Sequence, residues 1–226
     1  MKKVWFLLLL TPLLLLAGCR DRGPVSAKPV IYLYPETETQ VSVSLDLEGE
    51  LTCTYPAYND GWSVTAAPDG TLTDETGQTY NYLYWEGIQD TDYDFSQGFC
   101  VPGEDTAPFL EDALEQLGLT RREAHEFIVY WLPMMEENAY NLISFQSEAY
   151  TDTATLTIEP QPDTLLRVFM AWQPLEAPVE VEPQALTAPA RTGFTVVEWG
   201  GTEVTHNAKR LPLMREPYFL TQTWVP

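Results

Sequence analysis

Val41-Ser42-Val43-Ser44-Leu45-Asp46-Leu47 alternates apolar and polar side chains without a break. A period of two is the pattern of a strand with one face in a core and the other in water, so this stretch predicts a half-buried β-strand. Upstream, Val30-Ile31-Tyr32-Leu33-Tyr34 is a short apolar run closed by Pro35. Downstream, Leu51, Cys53 and Tyr55 continue the alternation after Gly49. Trp62, Val64 and Ala66 lead into a Pro68-Asp69-Gly70 turn, and Thr76-Gly77 marks the next one. Beyond it Tyr80, Tyr82 and Tyr84 fall on one face, with Leu83 and Trp85 on the other. The first half of the chain therefore reads as antiparallel β.

The period then changes to that of helices. Thr106 is placed to cap a first helix, with Phe109, Ala113, Leu114 and Leu117 as its apolar stripe and Gly118 as its end. Thr120 with Glu123 three residues on is a capping box, and Ala124, Phe127, Ile128 and Trp131 recur at helical spacing until Pro133, where a stop is expected. That stripe needs an apolar partner, most simply a sheet face. Strands resume over residues 141–146, 153–158, 165–172 and 194–199, the last two joined by a Pro-spaced acidic stretch from Pro174 to Pro189. Helices set between two runs of strands predict an α+β fold: an antiparallel β-rich N-terminal half, a two-helix corner and further antiparallel strands.

Charge narrows the function. The 226 residues carry 12 Lys and Arg against 33 Asp and Glu, a net charge of −21. A nucleic acid would meet a surface of its own sign, so no nucleic-acid partner is expected. Lys2 and Lys3 precede a run of apolar residues from Val4 to Ala17, interrupted by Pro12, and the segment ends Leu16-Ala17-Gly18-Cys19. The run is shorter than a bilayer-spanning helix requires and has the three-part form of an export signal. Small residues immediately before Cys19 resemble the lipobox of bacterial lipoproteins, in which the cysteine is acylated and becomes the new N-terminus. Residues 1–18 are thus expected to be a cleaved signal, Cys19 the lipidation site, 19–28 a tether, 29–201 the module with a possible sub-boundary near 100, and 202–226 a tail. The expected location is the extracytoplasmic face of the cell membrane, with the lipid anchor as the membrane contact. Cys53 and Cys100, exported to an oxidising compartment, are expected to form one disulfide. A thiol nucleophile would need one of the only two imidazoles, His125 or His206.

Several peptides look familiar together: Lys28-Pro29-Val30-Ile31-Tyr32-Leu33-Tyr34-Pro35, Tyr84-Trp85-Glu86-Gly87, Tyr130-Trp131-Leu132-Pro133, the run Pro162 to Met170, and Gly193-Phe194-Thr195-Val196-Val197-Glu198-Trp199-Gly200-Gly201. They resemble a family of uncharacterised secreted or lipid-anchored proteins of bacteria and fungi. The resemblance spans roughly Lys28 to Gly201 and implies one compact module with a tail outside it. It implies no activity.

Among residues that carry chemistry, Glu86 and Glu198 each end a predicted strand beside a tryptophan and close to a glycine. Two such carboxylates in one cleft would divide acid and base roles in glycoside hydrolysis, if they stood about 5 to 10 Å apart. Trp85 and Trp199 would then stack on sugar rings. The competing reading pairs these glutamates with Arg167 or Arg191 in the core. Asp90, Asp92 and Asp94 have a spacing able to wrap a hard cation, within a span from Lys28 to Arg121 that holds 18 acidic and no intervening basic residues. The calcium-loop pattern wants Gly at Phe95 and Glu at Val101, so a solvated loop is the simpler expectation. No cofactor is expected. With 7 Trp and 12 Tyr, the chain also suits a module that grips a glycan or an envelope protein with rigid rings. The leading expectation is thus a lipid-anchored extracytoplasmic protein with a structural or ligand-binding role, the alternative a glycan-directed hydrolase using Glu86 and Glu198.

Overall fold

The apolar run at residues 30–34 is apolar throughout because both of its faces are buried. In the computed structural model, which describes residues 25–204 except Asp90, this run lies in β1 (Val25–Tyr34) inside an eight-stranded sheet. Val30 and Tyr32 point to one core, Ile31 and Leu33 to another. Helices cover the first face and a second sheet covers the other.

The remaining strands are β2 (Thr39–Leu47), β3 (Gly49–Tyr55), β4 (Trp62–Ala66), β5 (Leu72–Thr73), β6 (Thr79–Tyr80), β7 (Leu83–Gln89), β8 (Gln97–Pro102), β9 (Tyr140–Phe145), β10 (Ala154–Glu159), β11 (Thr164–Leu175), β12 (Glu182–Pro183) and β13 (Thr195–Glu203). The large sheet has the order β12-β8-β9-β11-β13-β1-β7-β3, the small one β10-β2-β4-β5-β6. The helices are α1 (Thr106–Gln116), α2 (Arg121–Met135) and α3 (Ser147–Thr153).

The α+β class holds, and most strands pair antiparallel. Two pairs do not: β11 with β13, and β12 with β8, run parallel. Parallel neighbours need a crossover, and the Pro-spaced acidic stretch supplies it, reaching the far edge of the sheet at β12 before returning to β13. Strands from both halves of the chain share the large sheet, and a boundary near residue 100 would fall within β8. Pairing begins at Val25, against Ile88, so the last four residues of the expected tether are already strand. At the other end β13 takes in Thr202 and Glu203 of the expected tail. The signal, Cys19 and residues 205–226 lie outside the described residues.

Capping explains α2. The Thr120 hydroxyl accepts from the Glu123 N–H, and the Glu123 carboxylate accepts from the Thr120 N–H at 2.7 Å, so two otherwise orphaned donors are satisfied. Pro133 does not stop the helix, which continues to Met135. Proline removes the bond to the carbonyl four residues back, and that residue, Val129, is exposed. Gly118, at φ +82, closes α1 in the left-handed region as expected. Phe127 and Trp131 of α2 are buried with Val197 and Trp199 of β13, the sheet face that the apolar stripe required.

Candidate functional site

Strand register decides where each candidate side chain goes. Ile31 of β1 pairs with Glu198 on one side and with Leu83 on the other, so all three face the small sheet. Trp85, two residues beyond Leu83, shares that face, and its indole donates to Glu198 Oε1 at 3.1 Å. Glu86 must therefore point the opposite way, toward the helices. The two glutamates stand on opposite faces of one sheet, and they cannot act together on one glycosidic bond. Trp85 and Trp199 are fully buried, so neither offers a ring to a sugar.

Glu198 instead completes a core cluster. Arg167 Nε donates to Glu198 Oε2 at 2.6 Å and its Nη1 donates to the Ala154 carbonyl at 2.7 Å, with both side chains almost entirely sealed. The guanidinium also lies over the Tyr150 ring, 4.7 Å from its centroid. Burial, reinforced by the Glu198 charge, pushes the Tyr150 phenol well above its ordinary pKa. Through Arg167 the cluster links the large sheet to Ala154 of β10 in the small one.

The expected disulfide is not formed. Both thiols are free: Cys53 is exposed on edge strand β3, while Cys100 sits on β8 with its sulfur accepting from the Val179 N–H at 3.4 Å. Six strand spacings separate β8 from β3, roughly 29 Å across the sheet. Asp90 lies outside the described residues. Asp92 is exposed, and Asp94 accepts from the Ser96 N–H and hydroxyl at 2.8 Å, closing a turn. Among the described residues no group of three or more His, Cys, Asp or Glu is placed to hold a metal ion. His125 is exposed on α2. Nor do Tyr80, Tyr82 and Tyr84 share a face: Tyr80 belongs to β6 of the small sheet, whereas Tyr82 and Tyr84 pack on the helix side of the large one.

That helix side carries a constellation which the sequence did not single out. α2 runs over β1 and β13, and β7 extends beyond it as a ledge. On the ledge stand Tyr82, Tyr84 and Glu86, all half-buried. Glu126 and Tyr130 face it from α2, and Lys28 reaches it from a bulge in β1. Lys28 has φ 52, a strained backbone for a side-chain-bearing residue. Its ammonium lies 5.0 Å from the Tyr130 ring centroid and 5.6 Å from that of Trp199. Burial lowers the Lys28 pKa, opposed by the Glu126 charge. The Tyr32 hydroxyl donates to Glu126 Oε2 at 2.8 Å. Burial and a hydrogen bond to Glu86 push Tyr84 far up, and burial with the Glu86 charge does the same to Tyr130 in lesser degree. Four of the peptides quoted above, distant in sequence, meet at this one place. No spacing rule reveals that, because β1, β7, α2 and β13 become neighbours only through the sheet order.

Two of the shallow hollows on the described surface bear on binding. One, of about 330 Å³, lies at the Tyr34 end of the ledge and is lined by Tyr34, Thr120, Arg122, Arg191, Gly193 and Thr195. The Tyr34 ring stacks on Tyr32 at 6.0 Å, and Tyr82 meets Tyr32 edge-on at 5.4 Å, so a run of contacting rings links the wall of the hollow to the ledge. The other, of about 310 Å³, is on the small sheet between Ser42, Ser44, Asp60, Trp62 and Glu159, with no cation among its lining residues.

No family model matches the chain, and no solved structure matches it. A protein of Butyrivibrio fibrisolvens described as "Uncharacterized protein in bglA 3'region" is 51% identical over 79 residues, which are 32% of this chain and 81% of the relative. The chain belongs to the same family as this Butyrivibrio protein.

Proposed function

We propose that this protein is a lipid-anchored, extracytoplasmic binding module that holds a glycan on the ledge beside α2. The observation that carries the reading is the convergence of Lys28, Tyr82, Tyr84, Glu86, Glu126 and Tyr130 on one half-buried strip. A sugar ring has apolar C–H faces and a rim of hydroxyls. Tyrosine rings match the first, and carboxylates with an ammonium match the second as acceptors and donor. The strip is also held in place before any ligand arrives: Glu126 by Tyr32, Glu86 by Tyr84, Lys28 by two rings. Such pre-organisation reduces the ordering cost of binding. The leader ending at Cys19 and the acidic body support placement outside the cytosol, tethered by lipid.

A panel of immobilised bacterial and plant oligosaccharides, probed with the detergent-solubilised chain, tests the reading. At least one member is expected to bind, and Tyr84→Ala or Tyr130→Ala to weaken that binding about tenfold or more while the fold persists. Absence of binding across the panel, or binding indifferent to both substitutions, would contradict it. For the anchor, Cys19→Ala is expected to move the protein from the membrane to the soluble fraction; retention in the membrane would speak against lipid attachment.

A further inference from the structure

We infer that the glycan held on the ledge carries a sugar carboxylate, and that this group seats in the hollow between Arg122 and Arg191. The inference rests on the ledge reading and adds the chemical class and direction of the ligand. Between residues 25 and 204 the chain has five basic residues: Lys28, Arg121, Arg122, Arg167 and Arg191. Arg167 is sealed in the core, and Arg121 is engaged by Glu111 of α1 at 2.7 Å. The other three all border the ledge and its hollow. Arg191 is itself paired with Glu123, and Arg122 only loosely with Glu126, so the hollow offers one cation with an open fork on an otherwise acidic surface, which selects a ligand with a single placed acid over a polyanion.

The two arginines are held differently. Arg191 gives a terminal nitrogen to the buried Glu123 carboxylate at 2.7 Å, which tethers its guanidinium at the wall of the hollow. Arg122 is 57% exposed and meets Glu126 only at 3.7 Å, so its fork remains available to a planar carboxylate. Tyr34 stands between them. Burial and the neighbouring Glu123 push its pKa up and keep it a neutral phenol, so it adds no negative charge to the hollow. At the far end Glu86 accepts from hydroxyls and repels a second acid, while Glu126 stands nearer, 3.7 Å from Arg122, and offsets the charge of Lys28. The charge order along the strip thus orients the saccharide, acid toward Arg122 and neutral rings toward Tyr84 and Tyr130. Arg122 and Tyr130 are eight residues apart on α2, roughly 12 Å along its axis, a length suited to an oligosaccharide.

The test compares matched oligosaccharides of galacturonate, glucuronate, mannuronate and muramic acid with their carboxyl-reduced counterparts on the full mature chain. At least one acidic member is expected to bind about tenfold more tightly than its reduced partner, the loss anticipated for a charged hydrogen bond. Arg122→Gln should erase that difference. Arg191→Lys, which keeps a cation for Glu123, should narrow the difference as well. Matched pairs that bind alike, or an acid preference that survives Arg122→Gln, would overturn the inference while leaving the ledge as a glycan site. Failure of acidic and neutral members alike would overturn both.

Discussion

Arg167 and Glu198 illustrate how much one side chain's direction decides. Arg167→Met would leave the Glu198 carboxylate buried and without its cation, with an expected loss of about 3 to 5 kcal/mol in urea denaturation. The double variant Arg167→Met with Glu198→Leu should recover most of that loss, because removing both charges also removes their desolvation cost. A single variant as stable as the wild type would contradict the assignment of the pair to the core. The pairing with Arg167 was legible in the sequence as one of two readings, since a strand glutamate among Val196, Val197 and Trp199 needs a partner. What the sequence could not supply was the phase between β7 and β13. Glu86 follows its tryptophan and Glu198 precedes one, yet only the register through Ile31 shows that they face opposite ways.

Local pattern made some elements legible, although Asp105 and not Thr106 is the N-cap of α1 and Pro133 does not end α2. The capping box at Thr120 lies within four residues of sequence, and it forms as written. Thr120→Ala is expected to cost about 1 kcal/mol in thermal or urea unfolding, with the loss confined to stability because the hydroxyl's bond is to the Glu123 N–H. A loss below a few tenths would mean that tertiary packing alone holds the end of α2. α3 was not legible: it is a seven-residue helix whose anchoring residue, Tyr150, packs on Phe169 at 4.1 Å, a contact made by tertiary structure. The same limit explains the cysteines. Export argues for pairing two thiols, but the sheet order puts β3 and β8 far apart, and nothing in the local pattern encodes that order. The ledge was illegible for this reason too, since its residues come from three elements that the large sheet alone assembles.

At the scale of the whole molecule, tyrosine burial sets an alkaline limit. Tyr32, Tyr34, Tyr84 and Tyr150 all have pKa values raised above the ordinary 10.0, chiefly by burial. The folded state holds these protons more tightly than the unfolded chain. Their contribution is therefore complete below pH 10 and is lost progressively as the pH rises beyond it. Lys28 acts in the other direction: its lowered pKa means that stability grows slightly as the pH approaches 10.5, one half-buried group against several phenols. The urea midpoint is expected to stay nearly level from pH 7 to 9 and to fall above about 10. A midpoint that rose through pH 11 would show that the phenols ionise freely in the folded state.

The claim that organises these scales is that a glycan occupies the ledge beside α2. Hydroxyl-radical footprinting with mass spectrometry, with and without a saturating glycan identified on the panel, tests it most directly. Oxidation of Tyr82, Tyr84 and Tyr130 should fall in the bound state while exposed Tyr55 is unchanged. Protection confined to Trp62 and the hollow on the small sheet, or no protection at saturation, would contradict it.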